Sequence, residues 1–159
     1  MSADDPRPGE VTVVRPAATD AGVHFLGRLH TPWLTRQDCP KRGDPQDGPI
    51  CRVVVDPPWR AALAGLDRYA EVEILYWMHL ARRDLVVQRP RSSGLAHGTF
   101  ALRSPMRPNP ISSSVVVLLA VEPDGLMVRG LDCVDGTPLI DIKPLRCPMA
   151  PPAAGRQDD

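Results

Sequence analysis

Six arginines, Arg82, Arg83, Arg89, Arg91, Arg103 and Arg107, fall in one stretch of chain against the single acid Asp84. Guanidinium groups are planar forks that grip phosphate and carboxylate through paired hydrogen bonds and stack on flat rings. A cluster built from arginine alone therefore suits an anionic or nucleotide-like ligand. For Arg89 and Arg91 a plain solvated loop is an equally open reading. Arg103 and Arg107 sit in FALRSPMRPNPISS, where Pro105, Pro108 and Pro110 pre-set backbone dihedrals. A stiff loop holds its side chains in place before a ligand arrives.

A second group lies in GLDCVDGTPLIDIKP, Gly130 to Pro144, which carries Asp132, Asp135 and Asp141. Asp135-Gly136 is a tight-turn signal and Pro138 stiffens the exit from that turn. Asp141 and Lys143 alternate with Ile140 and Ile142, so one strand face bears an ion pair or a polar site. No metal site is expected. Cys39, Cys51, Cys133 and Cys147 form no C-x-x-C pair, and His24, His30, His79 and His97 show no helical i, i+4 spacing.

The elements that must position these residues are short. Proline accounts for 19 of 159 residues, more than twice the ordinary share of about 5%. That excludes a mainly helical chain, because proline breaks helix interiors. Seven segments rich in Val, Ile, Leu and aromatics read as strands: 23–29, 50–55, 71–79, 98–103, 114–121, 126–133 and 139–142. One short helix is expected over WRAALAGLDRYA, with Pro58 at its first turn and Leu63 and Leu66 on its core side. Many short strands with one small helix point to a mainly β fold, a small antiparallel β-barrel or sandwich. No strand leads into G-x-G-x-x-G and no P-loop is present, so a dinucleotide or P-loop site has no support.

With 43% apolar residues, 159 positions suffice for one core. The expected organisation is a flexible segment 1–20, a domain 21–147 and a flexible tail 148–159. Basic and acidic side chains balance at 19 each, so any attraction to nucleic acid must be local. The longest apolar run, Val115 to Val121, is far too short to span a membrane, and MSADDPRPGE has no basic and apolar leader. A cytoplasmic location is the expectation.

ALRSPMRPNPI followed by GLDCVDGTPLIDIKPL resembles the signature of the TsaA-like family, whose characterised members are tRNA threonylcarbamoyladenosine N6-methyltransferases using S-adenosylmethionine. FLGRLHTPW, CPKR and LAGLDRYAEVEILYWMH resemble further family segments in the same order, so the likeness runs from about Val23 to Leu145. It implies a small β-barrel methyltransferase, in keeping with the seven strands read above, a homodimer, S-adenosyl-L-methionine as donor and tRNA as acceptor. By position, the implied donor contacts are Pro40, Lys41 and Arg42; Met78 and His79; Arg103; Ser112 or Ser113; and Asp135, Gly136, Thr137 and Pro138.

The sequence departs from the family pattern at Lys41-Arg42, at Ser112 and at Leu145. Transfer of a methyl group to the exocyclic nitrogen of adenosine, a poor nucleophile, benefits from a group that takes its proton. His79, Asp132 and Asp141 are the candidates, each with a structural alternative. Arg82, Arg83, Arg89, Arg91 and Arg107 would then meet RNA phosphates. Trp33, Tyr76 and Trp77 are the available stacking platforms, with core packing as the alternative for each. Two other readings stand beside this one: the same fold with another RNA or small-molecule acceptor, and a non-enzymatic module that binds the donor.

Overall fold

The computed structural model describes residues 5–14, 17 and 21–145. Cys147 and the expected tail 148–159 lie outside the described residues.

Alternation of apolar and polar residues builds the barrel. In β3 (Ile50–Val55) the inward positions are Cys51, Val53 and Val55; in β4 (Glu71–Trp77) they are Val72, Ile74 and Tyr76. β2 (Gly27–His30), β7 (Ile111–Glu122), β8 (Gly125–Arg129) and β9 (Thr137–Pro144) close the antiparallel ring in the order β2, β3, β8, β7, β4, β9. Leu29, Val53, Val72, Ile74, Val116, Leu126, Val128 and Leu139 are fully withdrawn from solvent inside it. Burying each such side chain contributes about 1.5–3 kcal/mol, and closure leaves no barrel edge unpaired.

A small second sheet lies outside the ring. β5 (Leu85–Gln88) pairs on one side with β1 (Val11–Thr12) and on the other with β6 (His97–Gly98). β1 falls within the N-terminal stretch expected to be flexible. It is held by Glu10, whose carboxylate accepts hydrogen bonds from the Arg7 side chain at 2.6 Å and from the backbone N–H of Arg89 at 3.1 Å.

Two expectations differ in detail. The helical segment is present but 3-10 rather than α, running Pro57–Leu63 and Leu66–Arg68. Asp56 makes no side-chain cap bond, two prolines open the segment, and Gly65, in the left-handed region at φ 84°, divides it. Leu63 and Leu66 still bury themselves in the core. The strand expected over 98–103 is a two-residue bridge followed by a 3-10 turn, Thr99–Ala101, because the chain bends there into the proline-stiffened loop.

Candidate active site

The site forms at the rim of the barrel where β4 and β7 meet the loops. Tyr76 is the last inward residue of β4, and the β4–β9 register slips between Leu75 and Tyr76. Such a bulge re-aims the strand end at a rim. The Tyr76 hydroxyl donates to Asp132 Oδ1 at 2.7 Å and lies 2.8 Å from Ser114 Oγ on β7, which is itself 3.4 Å from the same carboxylate oxygen. Burial, and then the negative charge of Asp132, push the phenol well above its ordinary value of 10. Tyr76 therefore remains a donor at neutral pH and fixes one oxygen of the carboxylate. At 1% exposure it is part of the wall, which removes it as a stacking platform for a base.

Asp132 reaches the rim because its neighbours Leu131 and Cys133 are buried in the core. The chain then makes the turn announced by Asp135-Gly136. Asp135 Oδ1 accepts from the backbone N–H of Thr31 at 3.1 Å and lies 3.2 Å from His30 Nδ1. Gly136, at φ 75°, donates its N–H to Leu29 O, and the Thr137 hydroxyl donates to Val134 O at 2.6 Å. The turn is thus braced onto the end of β2 and presents Val134 and Thr137 to the cleft.

Two loops complete the walls. In the first, Asp38 Oδ2 accepts from the N–H and hydroxyl of Thr35, and the Arg36 guanidinium donates to Leu80 O at 3.4 Å, joining this loop to the turn after β4. Gly43 closes the loop against Gly130; a Cβ there would stand 1.8 Å from the Gly130 carbonyl oxygen. In the second, the buried Gln88 donates to Thr99 Oγ1 at 2.8 Å and to Met106 O at 2.5 Å. Arg107 donates to Leu102 O at 3.1 Å and Ser104 O at 3.3 Å. The proline-rich loop is therefore clamped from both sides, and Arg103 between the clamps makes no hydrogen bond or ion pair among the described residues.

The result is a cleft of about 330 Å³, within the range of about 300–1,000 Å³ usual for small-molecule sites. It brings together Pro40, Lys41, Met78, His79, Arg103, Ser112, Asp132 and Thr137 from positions far apart in the sequence. Its lining carries one acid, Asp132, and three basic side chains, Arg36, Lys41 and Arg103, with Met78, Met106 and Val134 supplying apolar surface. Partial withdrawal from solvent, reinforced by the charge of Arg28, holds His79 below its ordinary value of 6.5. The imidazole is neutral at pH 7 and can accept a proton. Burial, then Asp132 and Asp38, push the Cys39 thiol up, so it lines the cleft as a thiol and not as a nucleophile.

Other sequence candidates lie elsewhere. Arg42, Asp135, Gly136 and Pro138 do not line the cleft, and Ser113 lines a neighbouring one. Asp141 is bonded to Lys143 Nζ at 2.5 Å and to the N–H of Ile142, the ion-pair reading of that strand face. Among the arginines, Arg82 pairs with Asp84 at 2.8 Å, and Arg89 donates to Gly94 O and Pro8 O. Arg83 lies 4.8 Å over the ring of Trp77, and Arg91 is exposed. Trp33 packs against the core cluster. Sequence reasoning missed Arg36, Cys39 and Met106 as cleft walls, since nothing in their spacing ties them to the rim. Among the described residues no three His, Cys, Asp or Glu side chains gather to hold a metal ion, and no helix is long and apolar enough to cross a membrane.

Residues 28–148 match the family described as the tRNA-methyltransferase O N-terminal domain. The chain is 47% identical over 148 residues to VirR of Rhizobium radiobacter, described as a probable S-adenosyl-L-methionine-binding protein, covering 91% of this chain and 84% of that one. It is 40% identical over 86 residues to a tRNA (adenine(37)-N6)-methyltransferase of Mus musculus, covering 52% of this chain and 20% of the mouse protein. A crystal structure of TrmO superposes with a TM-score of 0.67 at 29% identity, over 88% of this chain and 64% of that one. Another, of TrmO from Pseudomonas aeruginosa, gives 0.65 at 28%, over 89% and 62%. The chain thus spans a little under two thirds of the solved chains it matches. With the barrel, the rim loops and the family match over most of its length in agreement, the chain belongs to the tRNA-methyltransferase O N-terminal domain family.

Proposed function

We propose that the chain is an S-adenosylmethionine-dependent methyltransferase acting on N6 of threonylcarbamoyl-modified adenosine in tRNA, next to the anticodon. The observation that carries this reading is the cleft itself. It sets the Tyr76-bound carboxylate of Asp132 and the unpartnered guanidinium of Arg103 around one volume of about 330 Å³, beside a neutral histidine.

That donor set fits a ligand holding both a cation and a carboxylate. Asp132 provides the negative field for the cationic portion, and Arg103 with Lys41 meets the carboxylate. Thr137 and Val134 frame a flat ring, and Met78 and Met106 give it apolar contact. The bound donor supplies a methyl group on a cationic sulfur, which becomes a neutral thioether as the methyl is transferred. The chain's own contribution is alignment and charge placement, with no covalent participation needed. His79 accepts the proton released from the acceptor nitrogen.

Arg82, Arg83, Arg89, Arg91 and Arg107 form the RNA side of the reading. A homodimer is supported by the outer face of β7, where Ile111, Val115 and Leu119 are each a little over 40% exposed. The tRNA acceptor also supports a cytoplasmic location. A second reading, a donor-binding module without catalysis, is favoured only by the descriptions of relatives as binding proteins.

Two measurements test the proposal. Calorimetric titration of S-adenosylmethionine should show saturable binding, with Arg103→Ala raising Kd by about tenfold or more, the loss of a charge-assisted hydrogen bond. Labelled methyl should pass from the donor into bulk tRNA from cells lacking the protein. An unchanged Kd for Arg103→Ala would contradict the placement of that side chain, and donor binding with no labelled RNA would favour the module without catalysis.

A further inference from the structure

β5 is gripped at both ends by a segment from near the start of the chain. Ahead of its first residue, Asp84 O accepts from the N–H of Val13 at 2.9 Å. Beyond its last, Glu10 Oε1 accepts from the backbone N–H of Arg89 at 3.1 Å, and the Arg89 guanidinium donates to Pro8 O at 3.1 Å. Between those points Val11 and Thr12 pair with Val87 and Leu85. The segment lies ahead of the family match, which begins at residue 28. We propose that residues 7–13 are a strap that positions one wall of the cleft: by fixing β5 the strap fixes Gln88, and Gln88 sets the place of Met106 and Arg103. Glu10 and Gln88 are thus positioning residues, and neither lines the cleft. The effect on donor affinity rests on the function proposed above; the mechanical link does not.

Three observations carry it. The second sheet is too small to stand on backbone pairing alone, with four residues in β5 and two each in β1 and β6. Its side-chain ties are correspondingly strong. The Glu10 side chain is only 3% exposed, and its carboxylate takes charge-assisted bonds from the Arg7 guanidinium at 2.6 Å and the Arg7 N–H at 2.9 Å, besides that from Arg89. A carboxylate so withdrawn from water holds its place only while those donors face it.

The second observation is how short the path from this sheet to the cleft is. Leu85 O accepts from the Thr99 hydroxyl at 2.8 Å, and Gln88 Nε2 donates both to Thr99 Oγ1 and to Met106 O. The same two ends of β5 that the strap grips therefore grip the proline-rich loop. Third, that loop is a cleft wall: Arg103, Pro105 and Met106 all line it. Pro105 stiffens the chain between the other two, so a displacement of Met106 is passed on to Arg103.

Hydrogen–deuterium exchange of the whole protein reads the link without any ligand. Glu10→Ala should speed exchange about tenfold in peptides covering residues 99–107, with β3 and β4 unchanged. Calorimetry then reads the cleft. Glu10→Ala should raise the Kd for S-adenosylmethionine about fivefold, Gln88→Leu about tenfold, and the double variant no more than Gln88→Leu alone, because both act through one path. A strap that serves stability alone would lower Tm, speed exchange at residues 85–88 only and leave Kd unchanged, which would overturn the proposal. Effects on Kd that add in the double variant would overturn it too. Should Glu10→Ala not fold, Arg7→Gln removes the guanidinium and keeps the carboxylate, and exchange at residues 99–107 decides in the same way. Absence of donor binding in the unsubstituted protein would count against the proposed function, while faster exchange at residues 99–107 in Glu10→Ala would still support the strap.

Discussion

The bond between Tyr76 and Asp132 decides how the cleft carries its negative charge. Tyr76→Phe keeps the ring and its packing but leaves the carboxylate with only the longer contact to Ser114. We expect kcat/KM to fall about tenfold and stability by about 1 kcal/mol, read by steady-state kinetics and by denaturant titration. His79 gives a pH signature. Its folded value lies below 6.5, so it is neutral and able to accept a proton above that pH, and it becomes charged only as pH falls further. Activity should therefore drop on the acid side with a midpoint below 6.5, and a pH–rate profile of His79→Gln should lack that limb at a lower plateau. The same sign holds for stability: protonating His79 disfavours the fold, so its contribution is lost as pH falls below 6.5. Much of this was legible in the sequence. His79, Asp132 and Asp141 were equally readable as groups able to take a proton, and the structure puts the first two at the cleft and Asp141 in an ion pair with Lys143, whereas Tyr76 sat at an inward strand position indistinguishable from core. Asp135, expected among the donor contacts, accepts from the Thr31 N–H beside His30 and does not line the cleft.

At the scale of elements, the site depends on loops locked to the barrel rim. Gly43→Ala would place a methyl group against the Gly130 carbonyl, and backbone must shift to admit it. The expected result is a loss of about 1–3 kcal/mol, as for other overpacked positions, with a raised donor Kd because Pro40 and Lys41 move with the loop. Calorimetry on the folded variant checks both the loop's role and its rigidity. Strand alternation made the ring readable: 50–55 and 71–77 lie where Val, Ile and Cys patterns placed them. The loop from Thr99 to Pro110 was readable as stiff from its prolines. Its clamping was not, because it rests on Gln88, a polar side chain at 2% exposure that nothing in the local pattern marks as buried.

For the whole molecule, net charge is zero, so the RNA attraction we propose has to be local. Arg82 is neutralised by Asp84, while Arg83, Arg89, Arg91 and Arg107 keep their charge without an acidic partner among the described residues. If these four meet phosphates, log Kd for an anticodon stem-loop should rise with log salt at a slope of about three to four. An Arg83→Ala, Arg91→Ala double variant should lower that slope by about two and weaken binding at every salt concentration; an unchanged slope would remove these residues from the RNA face. The barrel and the family were legible in two long motifs and the proline content. The meeting of five separated segments at one rim was not, since it follows from the order in which the strands close. The most direct test of the central claim is mass analysis of nucleosides from tRNA incubated with the protein and S-adenosylmethionine, the tRNA having been made in cells that lack the protein. The account predicts conversion of threonylcarbamoyladenosine to its N6-methyl form, and a methyl group found on any other nucleoside, or on none, would contradict it.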